Sequence, residues 1–239
     1  MKKIDRRRKY VLVVDIETAN IVQDALAYDI GFAVADKKGN IYETGSFMVS
    51  EMFFDHKDLM STAYYAEKLP QYWEDYKQGT RKIASIYTIR KAMAELMKEY
   101  RISDVFAYNA SFDRTGLDRT IRFLTKSRVR WFFPFGTKFH CIWHMACQTI
   151  FQQKTFAKVA LINDWLSEKG NVSTSAETAH RYITKQVEFE ESHTGLEDVQ
   201  IETQIMAKCF AQHKKMETKI NRLCWRLPQK NIKNLQKSS

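Results

Sequence analysis

Residues 10–16 read Tyr-Val-Leu-Val-Val-Asp-Ile, an apolar, β-branched run that meets its first charge at Asp15. A continuous run of this kind reads as a strand buried on both faces, which places it inside a sheet with helices on either side. Moving outward, residues 28–36 (YDIGFAVAD) alternate in part, Lys38-Gly39-Asn40 supplies turn chemistry, and residues 41–49 (IYETGSFMV) read as a returning strand. Together they predict a three-stranded meander. Helices are expected over 61–78 and 85–100; in the second, Ile86, Ile89, Met93, Leu96 and Met97 keep helical spacing. Residues 104–108 (DVFAY) read as a short strand leading into a helix that starts near Asn109. Residues 126–139 are aromatic and basic, and further helices are expected over 141–152, 175–187 and 195–213. Strands, helices, a strand and more helices make an α/β layered domain with a mixed sheet.

The composition, 44% hydrophobic and 28% charged over 239 residues, is that of a soluble globular protein. No run of about eighteen apolar residues suggests a membrane span. The N-terminus is basic and then apolar, but Val11–Val14 is too short for the apolar core of a signal peptide, so an intracellular, cytoplasmic protein is expected. Cys141, Cys147, Cys209 and Cys224 form no C-x-x-C pair and read as free, buried thiols. The net charge of +10 is concentrated at the ends: residues 1–9 carry +5, residues 214–239 carry +7, and the remainder sums to −2. This divides the chain into a basic extension (1–9), one folded domain (10–213) and a basic tail or helix (214–239). Basic ends of this kind attract phosphate backbones, or simply keep a terminus solvated.

Acidic residues at strand and helix ends carry the chemistry. Asp15 and Glu17 stand two apart on a strand and so point to one face. Two adjacent carboxylates repel and desolvate poorly unless a cation lies between them, and Mg²⁺ or Mn²⁺ suits an all-oxygen pair. Asp113 follows strand 104–108 by one helical turn. In isolation it reads equally as a first-turn acid facing the helix dipole, and Asn109 reads equally as the helix N-cap. In His193-Thr194-Gly195-Leu196-Glu197-Asp198, a loop histidine precedes an acid at the start of a helix, where it could take a proton from water.

The three segments VVDIET, AYNASFD and HTGLED, in this order, resemble the three motifs of the DEDDh (DnaQ-like, polymerase III epsilon-type) 3′→5′ exonuclease family, within the RNase H-like superfamily. The resemblance spans residues 10–210. Thr194 stands where the sister branch of the superfamily has a tyrosine, and His193 one residue before it fits the histidine branch. The resemblance implies an RNase H-like mixed five-stranded sheet flanked by helices. It also implies two divalent ions, Mg²⁺ or Mn²⁺, with Asp15 bridging both, Glu17 and Asp198 completing the first site, and Asp113 acting on the second. His193 would be the general base in a two-metal hydrolysis. Among substrate-binding residues, the Thr18 backbone would meet the terminal nucleotide and Asn109 would help orient the site. The expected substrate is nucleic acid, single-stranded DNA 3′ ends in preference to RNA, released as nucleoside monophosphates. A polymerase or other replication protein is a candidate partner; a membrane is not, and the oligomeric state is open. The alternatives are an exoribonuclease of the same family and a catalytically idle module that binds nucleic acid or a polymerase.

Three further features compete for attention. His140, His144 and Cys147 share a helix face, but zinc sites draw a second ligand pair from another element and none is evident, so packing is the expected role. Arg, Lys and aromatics interleave over 128–139, a composition suited to phosphates and unpaired bases as well as to a core. The aromatic stretch 52–76 reads as an insertion that covers the cleft or joins two copies.

Overall fold

The computed structural model describes residues 4–236, with side chains to residue 231. Its elements run β1 (Val11–Ala19), β2 (Leu26–Ala35), β3 (Ile41–Val49), α1 (Ser50–Phe54), α2 (Lys57–Met60), α3 (Leu69–Gln78), β4 (Lys82–Ala84) and α4 (Ile86–Tyr100). Then follow β5 (Asp104–Ala107), α5 (Ala110–Thr125), β6 (Lys138–Cys141), α6 (Ile142–Gln148), α7 (Lys154–Ile162), α8 (Ala176–Thr184), α9 (Gly195–Ala211) and α10 (Arg226–Gln236).

The sheet order is β4-β3-β2-β1-β5-β6. β2 runs antiparallel to β1 and β3, while β1–β5, β5–β6 and β3–β4 are parallel. This is the expected mixed sheet flanked by helices, with six strands rather than five. The sixth is β4, whose three residues lie on the outer side of β3 and are too few to show a period. The strand read from residues 10–16 sits where its composition demands, between β2 and β5.

Its two faces feed two cores. Leu12, Val14 and Ile16 join Ile86, Ile89 and Met93 of α4 and Leu117 and Ile121 of α5 on one side. Val11 and Val13 join Ile142 and Met145 of α6 and Val199, Ile205 and Met206 of α9 on the other. Asp15 and Glu17 follow Val13 in alternation and so face the α9 side.

Two helical expectations are corrected. The helix expected over 61–78 begins only at Leu69, because Pro70 fixes φ and has no N–H to continue a preceding turn. The helix expected over 141–152 is shorter at both ends: residues 138–141 pair with β5 as β6, and α6 ends at Gln148. Beyond α9, the segment through Lys219 crosses β6 and α6, with the Cys141 N–H donating to Thr218 O at 2.7 Å and Gln148 Nε2 to Glu217 O at 2.8 Å. α10 follows, and Gln229 Oε1 accepts from the Val172 N–H at 2.8 Å. All four cysteines are buried free thiols. Among the described residues, no helix is long and apolar enough to cross a membrane.

Candidate active site

Two glycines set the site. Gly31 on β2 lies opposite Asp15 in the register, and Gly195 opens α9. A Cβ on Gly31 would fall 1.8 Å from the Gly195 carbonyl oxygen, and one on Gly195 would fall 2.8 Å from Gly31 N. The start of α9 therefore rests on bare sheet backbone, beside Asp15. One turn into the helix stands Asp198, its N–H donating to Thr194 O at 3.0 Å. Ligand oxygens of Asp15, Glu17 and Asp198 all lie within 4.8 Å of one another.

A buried ion network locks this helix end in place. Asp29 of β2 accepts from the Gly195 N–H at 3.0 Å, from Tyr72 Oη at 3.0 Å and from Arg81 Nη1 at 2.9 Å, and also from the Ser46 hydroxyl. Arg81, only 1% exposed, binds Asp75 at 2.7 Å and Glu197 at 3.0 Å through its other nitrogens. The Thr194 hydroxyl donates to Glu197. A fully paired arginine thus holds both the sheet and the first turn of α9.

Among the described residues, no such cation pairs with the carboxylates themselves. Burial, and then repulsion from Glu202 and Asp198, push Asp15 well above the usual carboxylate range. Burial followed by Asp198 pushes Glu17 up to about 9. Burial followed by Glu191 takes Asp198 to about 8. Asp15 Oδ2 and Asp198 Oδ1 are buried without a hydrogen-bond partner. Orphaned carboxylate oxygens this close are the donor set of a hard divalent cation, so the residues present fit Mg²⁺ or Mn²⁺.

The other expected residues are placed less uniformly. Asp113 is buried in the first turn of α5, where its carboxyl accepts from its own N–H and that of Ile16; burial takes it to about 7. It stands outside the three-carboxylate group but close enough to repel Asp15 and Glu17. His193 adopts a left-handed backbone (φ 54°) and stacks on Tyr65, ring centres 4.0 Å apart and planes 8° apart. Burial lowers its pKa, with Glu177 opposing and Lys68 assisting. Tyr65, the ring it rests on, is itself within the field of Glu17 and Asp198. Thr18 is buried at a register break in β1, and its carbonyl accepts from the Tyr64 N–H at 3.3 Å. Asn109 occupies the N-cap position of α5, but its side chain makes no capping bond. It lines a cavity instead.

Two participants escaped the sequence reading. Glu202 lies one turn beyond Asp198, is 3% exposed, and has Oε2 unpartnered while its carboxyl accepts from the Tyr108 N–H. The i, i+4 spacing of Asp198 and Glu202 on a helix face otherwise rich in Ile and Val was the signal available. Tyr65 had no signal, since nothing local links it to His193. His140 and His144 are engaged elsewhere: His140 bonds Asp104 at 2.6 Å and Thr218 at 2.7 Å, and His144 bonds Lys219 O at 2.8 Å.

No family model and no curated protein matches the chain. Among solved structures, the zinc-ion-bound form of the E. coli ExoI–ssDNA complex is similar over 87% of this chain and 41% of its own, at 14% identity and TM-score 0.48. E. coli exonuclease I in complex with a dA16 oligonucleotide is similar over 86% of this chain and 43% of its own, at 13% identity and TM-score 0.48. The ExoI/SSB-Ct complex is similar over 86% and 42%, at 11% identity and TM-score 0.46. The chain thus spans about two fifths of the length of these structures.

Proposed function

We propose that this chain is a metal-dependent 3′→5′ exonuclease that removes nucleoside monophosphates from single-stranded 3′ ends, DNA in preference to RNA. The observation that carries the reading is the group of Asp15, Glu17 and Asp198 within 4.8 Å, with buried oxygens that no protein group satisfies. The three motif segments quoted above support it independently.

In this reading Asp15, Glu17 and Asp198 would hold a divalent ion, and Asp113 would help to hold a second. Bound there, the ions would supply Lewis-acid activation of water and stabilise the departing 3′ oxygen. The chain's own groups do the rest. His193, its pKa lowered by burial, is neutral near pH 7 and can accept the proton of the attacking water. Tyr65 fixes the plane of that imidazole. Thr18 and Asn109 orient the terminal nucleotide, Asn109 with an amide that capping leaves free. The Asp29–Arg81 network keeps α9, and with it Asp198, in register with β1.

The test is cleavage of matched single-stranded DNA and RNA oligonucleotides labelled at the 5′ end, in Mg²⁺, Mn²⁺ and EDTA. A ladder shortening from the 3′ end, faster on DNA and absent in EDTA, is the expected result. A faster RNA ladder would move the assignment to exoribonuclease. Folded protein that gives no ladder would leave a binding module.

A further inference from the structure

A cleft of about 870 Å³ opens between α5, the loop after it and the C-terminal segment. α5 lines it with Arg114, Arg119 and Arg122, the loop with Lys126 and Arg128, and the C-terminal segment with Arg222. Against these six cations stands one lining carboxylate, Asp118, whose Oδ1 is taken by the Phe132 N–H at 2.9 Å. Residues 10–213 sum to −2, so this concentration is local and not a general basicity.

The cleft leads toward the turn of α5 that carries Asp113. Ser111, Thr115, Arg119 and Arg222 also line a second cavity of about 440 Å³, which reaches Asn109 and Phe112 in the turn that carries Asp113. The channel follows α5 for its whole length, about 24 Å at the ordinary helical rise.

It is also a built surface. Arg122 Nε donates to Arg130 O at 3.0 Å, and its guanidinium lies 4.1 Å from the centre of the Trp131 ring. Arg90 Nε, from α4, donates to Trp131 O at 2.7 Å. The indole is thereby fixed and yet 54% exposed. Arg222 Nε donates to Ser111 Oγ at 2.9 Å, pinning the C-terminal wall to α5. Arg119, Arg122 and, just past the helix end, Lys126 recur at spacings of three and four, so this wall offers cations on successive turns. A repeating cation row with a fixed, exposed indole matches a repeating polyanion that carries flat bases.

We propose that this cleft is the track for the single-stranded nucleic acid leading to the scissile end, with its phosphates on the arginines and Lys126 and a base stacked on Trp131. Its polarity rests on the exonuclease reading: the 3′ end lies at the carboxylates and the 5′ stretch runs along α5.

Binding of a 5′-fluorescein 15-nucleotide single strand, read by anisotropy in EDTA so that nothing is cleaved, tests this. The Arg114→Ser/Lys126→Ser/Arg128→Ser protein should bind at least tenfold more weakly at 100 mM salt, and its plot of log affinity against log salt should flatten by about 2. A Lys77→Ser/Lys91→Ser/Lys158→Ser control, which loses the same charge from exposed positions elsewhere, should stay within twofold with the slope kept. Trp131→Ala should weaken binding and leave the slope unchanged. Thermal melts would check that each variant is folded. If the cleft variant binds like the control, or if an acidic peptide of matched charge competes as well as the oligonucleotide, the proposal is overturned. Because hydrolysis plays no part, a wild type that never cleaves but loses binding in the cleft variant would sink the exonuclease reading and support the track. A wild type that cleaves while the cleft variant binds normally would sink the track alone.

Discussion

His193 is held by a left-handed backbone and by a flat stack on Tyr65, and burial keeps it neutral near pH 7. His193→Ala should lower the cleavage rate by about 10²–10⁴-fold while leaving metal affinity in place. In the wild type, the rate should fall on the acid side with a midpoint below the ordinary histidine value of about 6.5. A variant as fast as wild type at pH 7 would remove the residue from the mechanism. Glu202 makes a different prediction. It lies close enough to Asp15 to raise that carboxyl's pKa without being one of the three grouped ligands. Glu202→Gln should weaken Mn²⁺ binding by roughly tenfold, the scale of a supporting residue around a metal site. Unchanged affinity by calorimetry would reduce Glu202 to a buried, protonated acid. The sequence showed Asp15 and Glu17 through strand alternation, and Asp198 through its place at a helix start. Glu202 was legible only as an acid four residues after Asp198 on one helix, and Tyr65 was hidden because its role arises from tertiary proximity to His193.

At the scale of elements, α9 reaches the site because Gly31 and Gly195 let backbone meet backbone. Gly31→Ala has no room for its methyl group, since the atom it meets is a carbonyl oxygen and not a movable side chain. It should cost about 3 kcal/mol in urea denaturation and displace Asp198, so cleavage falls even where the protein remains folded. Wild-type stability and rate in that variant would contradict the packing described. The strands β1 and β3 and the helices α4, α5 and α9 were legible because each carries a long periodic or apolar run. β4 and β6 were not, since three or four residues cannot show a period. The helix expected over 61–78 overlooked Pro70 as a start signal. The arginine that anchors α9, Arg81, reads in sequence as one surface cation among many. Only the fold brings Asp29, Asp75 and Glu197 around it.

For the whole molecule, a nest of carboxyls raised by burial makes the stability of the metal-free protein depend on pH. Below the ordinary carboxylate range, folded and unfolded chains are both protonated and these groups contribute nothing. Between that range and about 8 to 9, the folded protein keeps protons on Asp198 and Glu17 that the unfolded chain has released. Stability should therefore fall as pH rises through this window and level off above it. The melting temperature in EDTA should drop steadily from pH 5 to pH 9, and Mg²⁺ or Mn²⁺ should restore it most at the alkaline end, where the ligands ionise readily. A metal-free melting temperature that rises over this range would show that the carboxyls are compensated by some other group.

Hydrolysis by this protein requires that the buried carboxylates hold the ions. The most direct measurement is the rate of 3′-end removal from a 5′-labelled 15-nucleotide single strand as a function of Mn²⁺ concentration, for the wild type and for Asp15→Asn. The wild-type rate should rise from zero in EDTA to saturation, and the variant, folded and at least as stable without metal, should give no cleavage at any Mn²⁺ concentration. Cleavage that persists in EDTA, or an Asp15→Asn protein that cleaves like the wild type, would contradict it.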